Sequence, residues 1–214
     1  MLKIEIIPVT PIEQNCRILY FENYNKCVIV DPGGDADLII NFLETNKLLP
    51  EAIWLTHSHF DHCGGVCDLK EKYSCKLYGH KSEKQLRELV EMSALRFGVP
   101  DLSMKNCPEP DIYIDDLAKL EFNGLEFIAL FTPGHSIGHI SFYQKDEKIL
   151  LGGDAVFQGS IGRTDLPGGN FELLIGSIRS KILTLPDDVK ILSGHGPDTS
   201  IGFERKSNPF LCNL

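Results

Sequence analysis

The chain has 214 residues, 43% of them hydrophobic and 24% charged, which excludes a disordered tail, a collagen repeat and a small disulfide scaffold and makes one folded domain over 1–214 the expectation. Lys and Arg total 21 against 30 Asp and Glu, a net charge of −9, so no summed positive field draws in nucleic-acid phosphate or anionic lipid. Neither a nucleic acid nor a membrane is expected as a partner, and the absence of a basic-then-apolar leader or of roughly 20 consecutive apolar residues points to the cytoplasm.

Seven cysteines, Cys16, Cys27, Cys63, Cys67, Cys75, Cys107 and Cys212, form an odd set without a CxxC pair. That pattern argues for reduced thiols and against a disulfide framework or a structural zinc knuckle.

In chain order, short apolar runs at 3–9, 16–21 and 27–30 predict strands, followed by a helix over 37–45, a strand at 52–55, a helix around 65–72 and a strand at 76–78. A helix is expected over 83–97, with Leu86, Leu89, Val90, Ala94 and Leu95 as its apolar stripe. Residues 100–110, with Pro100, Pro108 and Pro110, read as a loop inside a domain. Asn123-Gly124 between the runs 120–122 and 125–131 predicts a hairpin, because both residues tolerate the positive φ of a type I′ turn. A second hairpin joins 140–143 to 149–151, and a helix is expected over 171–183. Strands alternate with helices, so the class is mixed α/β.

A weak internal echo runs through this order. A strand at 27–30 ends at Asp31, a helix follows, and the next strand leads to His57; likewise a strand from Ile149 ends at Asp154, a helix follows, and a strand from Val189 leads to His195. Two related strand–helix–strand halves are expected, with functional side chains at the strand ends, where open α/β sheets bind ligands.

The segment Thr56-His57-Ser58-His59-Phe60-Asp61-His62 offers four metal-capable side chains directly after a buried strand. Imidazole nitrogen and carboxylate oxygen suit zinc, with iron and manganese as competitors, whereas calcium and magnesium prefer mostly oxygen. Asp61 and His62 are adjacent and expected to diverge, so one ion does not use all four and two neighbouring ions are implied. Pro133-Gly134-His135, Gly152-Gly153-Asp154 and Gly194-His195-Gly196 supply further ligands in loops where glycine lets backbone come close to the ions. A histidine-rich loop without function is the competing explanation, and the size of the set opposes it.

This series, Asp31, the H-x-H-x-D-H motif, His135, Asp154 and His195, resembles the metallo-β-lactamase superfamily over nearly the whole chain. The resemblance implies that family's αββα sandwich, two mixed β-sheets flanked by helices. It assigns His57, His59 and His135 to a first metal, Asp61, His62 and His195 to a second, and Asp154 to both, with Asp31 orienting the ligand loop.

Within the superfamily, residues 131–139 and the stretch Gly153-Asp154 through Gly162-Arg163-Thr164-Asp165 are similar to the glyoxalase II group, the hydroxyacylglutathione hydrolases. The tail from Gly196 through Glu204 to Asn208-Pro209 resembles the short bacterial branch of that group. Long members carry a helical C-terminal domain that helps hold glutathione; here 19 residues follow His195. The implied cofactors are two divalent ions, zinc first. The implied reaction is hydrolysis of a small thioester, S-lactoylglutathione, by hydroxide formed between ions about 3.5–4 Å apart, with Asp61 and Asp154 as the catalytic carboxylates.

Among other residues, Arg163 is expected to pair with Asp165 rather than bind a glutathione carboxylate, a role also open to Arg205 and Lys206. Cys63 and Cys67 are expected to pack, His139 to hydrogen-bond in the core or behind the ligands, and His80 to lie in a surface loop. Tyr113, Tyr143 and Phe157 are expected in the core. The rival activities are a persulfide dioxygenase with a single iron, a lactone or β-lactam hydrolase, a nuclease, which the acidic balance opposes, and a non-catalytic metal-binding module.

Overall fold

The computed structural model describes residues 1–99 and 104–212 and divides into two units, Met1–Tyr113 and Ile114–Leu214. The first carries strands β1 (Leu2–Val9), β2 (Gln14–Phe21), β3 (Tyr24–Val30), β4 (Leu49–Trp54), β5 (Lys76–Gly79) and β6 (Ile112–Tyr113), hydrogen-bonded in that order. Pairing is antiparallel from β1 to β3 and parallel from β3 to β6. The parallel β3–β4 pair needs a crossover, and the helix Ala36–Thr45 supplies it, burying Ala36, Ile39 and Leu43 along one stripe.

The second unit adds β7 (Lys119–Phe122), β8 (Leu125–Phe131), β9 (Ile140–Gln144), β10 (Ile149–Gly153), β11 (Val156–Phe157), β12 (Ser160–Ile161), β13 (Lys190–Ser193) and β14 (Thr199–Ser200). Its six-stranded sheet has the order β14-β13-β10-β9-β8-β7, with β11 and β12 as a separate hairpin. In β7 exposed Lys119 and Glu121 alternate with buried Leu120 and Phe122, the period of a strand with one wet face. Asn123 and Gly124 turn into β8 with φ of 47° and 81°, as the Asn-Gly signal demands. β10 pairs in parallel with β13. Each unit therefore contains a parallel strand pair of strand–helix–strand order, β3–β4 in the first and β10–β13 in the second.

Three expectations need correction. The helix over 83–97 is broken into a 3₁₀ turn Lys81–Glu83 and helices Lys84–Arg87 and Val90–Arg96, with Leu89 at φ −117°, ψ 15° between them. The break resets the helical phase, so Val90 and Ala94 are buried while Leu89 and Leu95 are exposed. Arg87 is buried instead, donating from Nη1 to His80 O at 3.1 Å and from Nη2 to Glu109 Oε2 at 3.0 Å. His80 itself is buried, not a surface residue, and its Nδ1 accepts the Ser82 N–H at 3.3 Å. Tyr113 is exposed rather than in the core, hydrogen-bonded to Glu109. Residues 100–103 of the expected loop lie outside the described residues, and its remainder from Met104 to Pro110 carries neither helix nor strand. The helix expected over 171–183 is α-helical at Phe171–Ser177 and continues as a π-helix at Ile178–Ile182.

Candidate metal centre

In the first unit the histidine motif leaves β4 and is fixed by Asp31 at the end of the neighbouring β3. Asp31 has φ 51°, which a short polar residue tolerates better than most. Its Oδ1 accepts the Thr56 N–H at 2.7 Å, and its Oδ2 accepts the Thr56 hydroxyl at 2.6 Å and faces His62 Nδ1 at 3.0 Å. These contacts determine tautomers. Opposite a carboxylate, His62 Nδ1 carries the proton, leaving the lone pair on Nε2. The Thr56 hydroxyl spends its proton on Asp31, so its 3.0 Å contact with His57 Nδ1 is one it accepts, and the His57 lone pair is likewise on Nε2. His57 Nε2 lies 3.1 Å from His59 Nδ1, the two rings being edge to face.

The single helical turn Phe60–Cys63 carries Asp61 and His62. Their donor atoms, Asp61 Oδ2 and His62 Nε2, stand 3.7 Å apart, so the adjacent side chains converge, contrary to the sequence expectation. Neighbours about 100° apart on one turn still reach a common point when both side chains lean the same way. The loop is braced further by Glu83, fully buried, whose Oε2 accepts the Ser58 N–H at 2.8 Å. Cys63 sits beneath it, with Sγ 3.4 Å from His59 O.

In the second unit three strand ends carry His135, Asp154 and His195. Asp154 Oδ2 lies 3.6 Å from His135 Nε2 and 3.7 Å from His195 Nε2. His135 Nδ1–H donates to Arg163 O at 2.8 Å, so its lone pair, too, is on Nε2. His139 is no ligand: its Nε2 accepts the Asp154 N–H at 3.0 Å, and its Nδ1–H therefore donates to Thr132 Oγ1 at 2.8 Å. Thr132 lies 3.1 Å from Ser141 Oγ, which donates to Gly152 O at 3.2 Å, tying Asp154 to β9 and β10 through a buried polar chain. Phe157 packs edge-on to His195, the ring centres 6.2 Å apart.

Two nitrogen or oxygen ligands on one tetrahedral ion, each at about 2.0–2.1 Å, stand roughly 3.3 Å apart. The spacings of 3.6 and 3.7 Å within each set are near that value and too long for good hydrogen bonds. Mostly buried imidazole nitrogens and carboxylate oxygens, several oriented by a second partner, are the donor chemistry of zinc and its first-row neighbours. The residues fit metal ions.

The glycines differ from expectation. At Gly134 a Cβ would strike Leu174 N at 2.2 Å, so the residue admits the helix Phe171–Ser177, while Gly196 has open space and is held by its φ of 66°. The positions that allow close approach to ligand backbone are Gly33, where a Cβ would lie 1.5 Å from Asp61 O, and Gly162, where it would lie 1.9 Å from Asp154 O. Gly33, Glu83 and the bracing role of Thr56 escape the sequence reading because none belongs to a ligand pattern. The alternatives for Arg163 resolve to the expected pair: Nε and Nη2 both donate to Asp165 at 2.7 Å. Arg205 is committed to Asp187, Leu183 O and Leu185 O.

The sequence profile of the metallo-β-lactamase superfamily matches residues 11–195, spanning Asp31 and all seven candidate ligands. The chain belongs to the metallo-β-lactamase superfamily. It is 42% identical over 212 residues to the hydroxyacylglutathione hydrolase GloC of Haemophilus influenzae, covering 98% of each chain. Among solved structures it is similar to the B3 metallo-β-lactamase BLEG-1, with TM-score 0.88 and 41% identity over 99% of both chains. It is also similar to TTHA1623 in a di-iron-bound form, with TM-score 0.85 and 35% identity over 96% of this chain and 100% of the other. The metallo-β-lactamase fold, with two mixed sheets flanked by helices, is thus the one the sequence implied, and the chain is a metallo-hydrolase of that superfamily. Among the described residues no helix is long and apolar enough to cross a membrane.

Proposed function

We propose that this metallo-β-lactamase superfamily member is a dinuclear thioester hydrolase of the hydroxyacylglutathione hydrolase type, acting on S-lactoylglutathione in the cytoplasm. In this reading His57, His59 and His135 hold one ion, Asp61, His62 and His195 the other, and Asp154 serves both. The observation that carries it is the position of Asp154 Oδ2, nearly equidistant from His135 and His195, the histidines assigned to different ions. A di-iron-bound neighbour and the hydrolase GloC support the metal count and the substrate. Zinc is the ion proposed, with iron and manganese as competitors.

The ions, when bound, polarise the thioester carbonyl and acidify water towards neutral pH. The chain's own groups do the rest. Thr56, Asp31 and Arg163 O fix the tautomers of His57, His62 and His135 so that each offers Nε2. Asp61 and Asp154 accept hydrogen bonds from the attacking water and set its direction. A thiol of pKa about 8.5 leaves as thiolate without a protonated side chain, which accounts for a donor set without a general acid.

The test is turnover of S-lactoylglutathione by metal-replete protein. Thiol release that falls together with bound metal in His57→Ala and Asp154→Ala is the expected result; metal-replete protein inert towards thioesters overturns it. The 41% identity to BLEG-1 favours β-lactam hydrolysis as the second reading, so a chromogenic cephalosporin belongs in the same assay.

A further inference from the structure

The C-terminal segment contains a motif that metal binding does not use. Glu204, on the helix Ile201–Ser207, is fully buried. Its Oε2 accepts the Gly159 N–H at 3.0 Å and the Asn208 Nδ2–H at 2.7 Å, while Thr199 Oγ1 donates to its Oε1. The same Asn208 Nδ2 also donates to the carbonyl oxygen of Ser160, the residue after Gly159, at 2.9 Å. Burying a carboxyl among neutral donors costs stability that an apolar side chain would not, so the arrangement is informative about what it holds in place.

What it holds is the turn of the β11–β12 hairpin. Gly159, at φ 70°, has open space where a Cβ would sit, and the tail segment ties this turn down through two hydrogen bonds to adjacent residues, from Gly159 to Glu204 and from Asn208 to Ser160 O. One strand of the hairpin carries Phe157, paired with Ser160, and its ring packs edge-on to His195. The neighbouring Val156 O accepts the Ser193 hydroxyl at 3.0 Å, close to the end of the strand that delivers His195. His195 is the most exposed of the ligands whose side chains enter the ion-pair contacts, at 26%, and it stands between two glycines. The Phe157 ring edge therefore limits the rotation of the imidazole.

We infer that Glu204 is a positioning residue for His195: with Asn208 it clamps the β11–β12 turn, and the clamped hairpin holds Phe157 against the imidazole. The consequence for metal binding rests on the two-metal reading; the ring contact does not.

The experiment compares the parent with Glu204→Ala, Glu204→Gln and Phe157→Ala. In the metal-free proteins, proton–proton NMR contacts between the Phe157 and His195 rings are measured, followed by zinc titration. Glutamine keeps one oxygen for Gly159 and Asn208 and turns its amide to Thr199 Oγ1, so Glu204→Gln should retain the ring contact. Glu204→Ala should lose the contact and weaken one zinc equivalent about 10-fold, and Phe157→Ala should weaken the same equivalent similarly. The inference is overturned if Glu204→Ala keeps the ring contact, or if either alanine variant binds zinc as the parent does. Should Glu204→Ala fail to fold, Asn208→Ala, which removes the other hydrogen bond to the turn, is read in its place: a weakened ring contact is expected, and an unchanged one overturns the inference. A parent that binds one zinc would contradict the two-metal reading, while the ring contact in the metal-free series still decides the clamp.

Discussion

His139 Nε2 accepts the backbone N–H of Asp154 at 3.0 Å, so a histidine inside the glyoxalase-like motif fixes a proposed ligand without being one. Replacing it with leucine leaves the Asp154 N–H and Thr132 without that buried partner. His139→Leu should lose about 1–3 kcal/mol of stability, read by urea denaturation. It should also weaken zinc binding about 10-fold, read by titration.

Asp31 gathers three donors from the histidine loop, two from Thr56 and one from His62. Asp31→Ala should destabilise the protein by about 3–5 kcal/mol in a denaturant titration, because it strands buried polar groups as well as removing their acceptor. A loss below about 1 kcal/mol would mean that the loop is held by other contacts.

Gly162→Ala would place a methyl group 1.9 Å from Asp154 O and 3.0 Å from His135 Nδ1. The nearest obstacle is backbone, which cannot rotate away. The variant should fold with a lowered Tm and lose metal, whereas Gly124→Ala, which has open space but a φ of 81°, should be strained without losing metal. Melting curves with metal analysis separate the two outcomes.

The thiols should react in order of exposure. Burial pushes Cys16, Cys27 and Cys63 well above the ordinary thiol range, whereas Cys212 is exposed and Cys67 half-buried. Alkylation of the native protein followed by mass spectrometry should modify Cys212 first and Cys67 more slowly, leaving the other five until unfolding.

The hydrogen bonds from Arg163 hold Asp165 down at about 2. A depressed carboxylate favours the folded state above its unfolded value near 3.9, and that contribution is lost as pH falls through about 2. An NMR titration of Asp165 should show a midpoint near 2 in the parent, and Arg163→Ala should move it up towards about 3.9.

The parts of the fold and site that could be read from residues alone are those governed by local chemistry. Asn123-Gly124 specifies its turn, alternating Lys119, Leu120, Glu121 and Phe122 specify a strand, and the H-x-H-x-D-H run announces ligands after β4. What escaped depends on partners distant in sequence. Arg87 is buried because His80 O and Glu109 receive it, and no periodicity counts a buried arginine as apolar, so the break in the helix over 83–97 leaves no mark in the apolar pattern. Gly33 and Glu83 meet Asp61 and Ser58 only after folding. Asp61 and His62 converge because of one helical turn, where the linear spacing pointed to divergence.

In the proposed centre, histidines and carboxylates from both halves of the sequence would hold a pair of ions that share Asp154. Anomalous diffraction at the zinc edge from zinc-loaded crystals tests it most directly. Two peaks about 3.5–4 Å apart are expected, one contacting His57, His59 and His135, the other Asp61, His62 and His195, with Asp154 between them. A single peak, or two peaks that leave Asp154 uncoordinated, would contradict it.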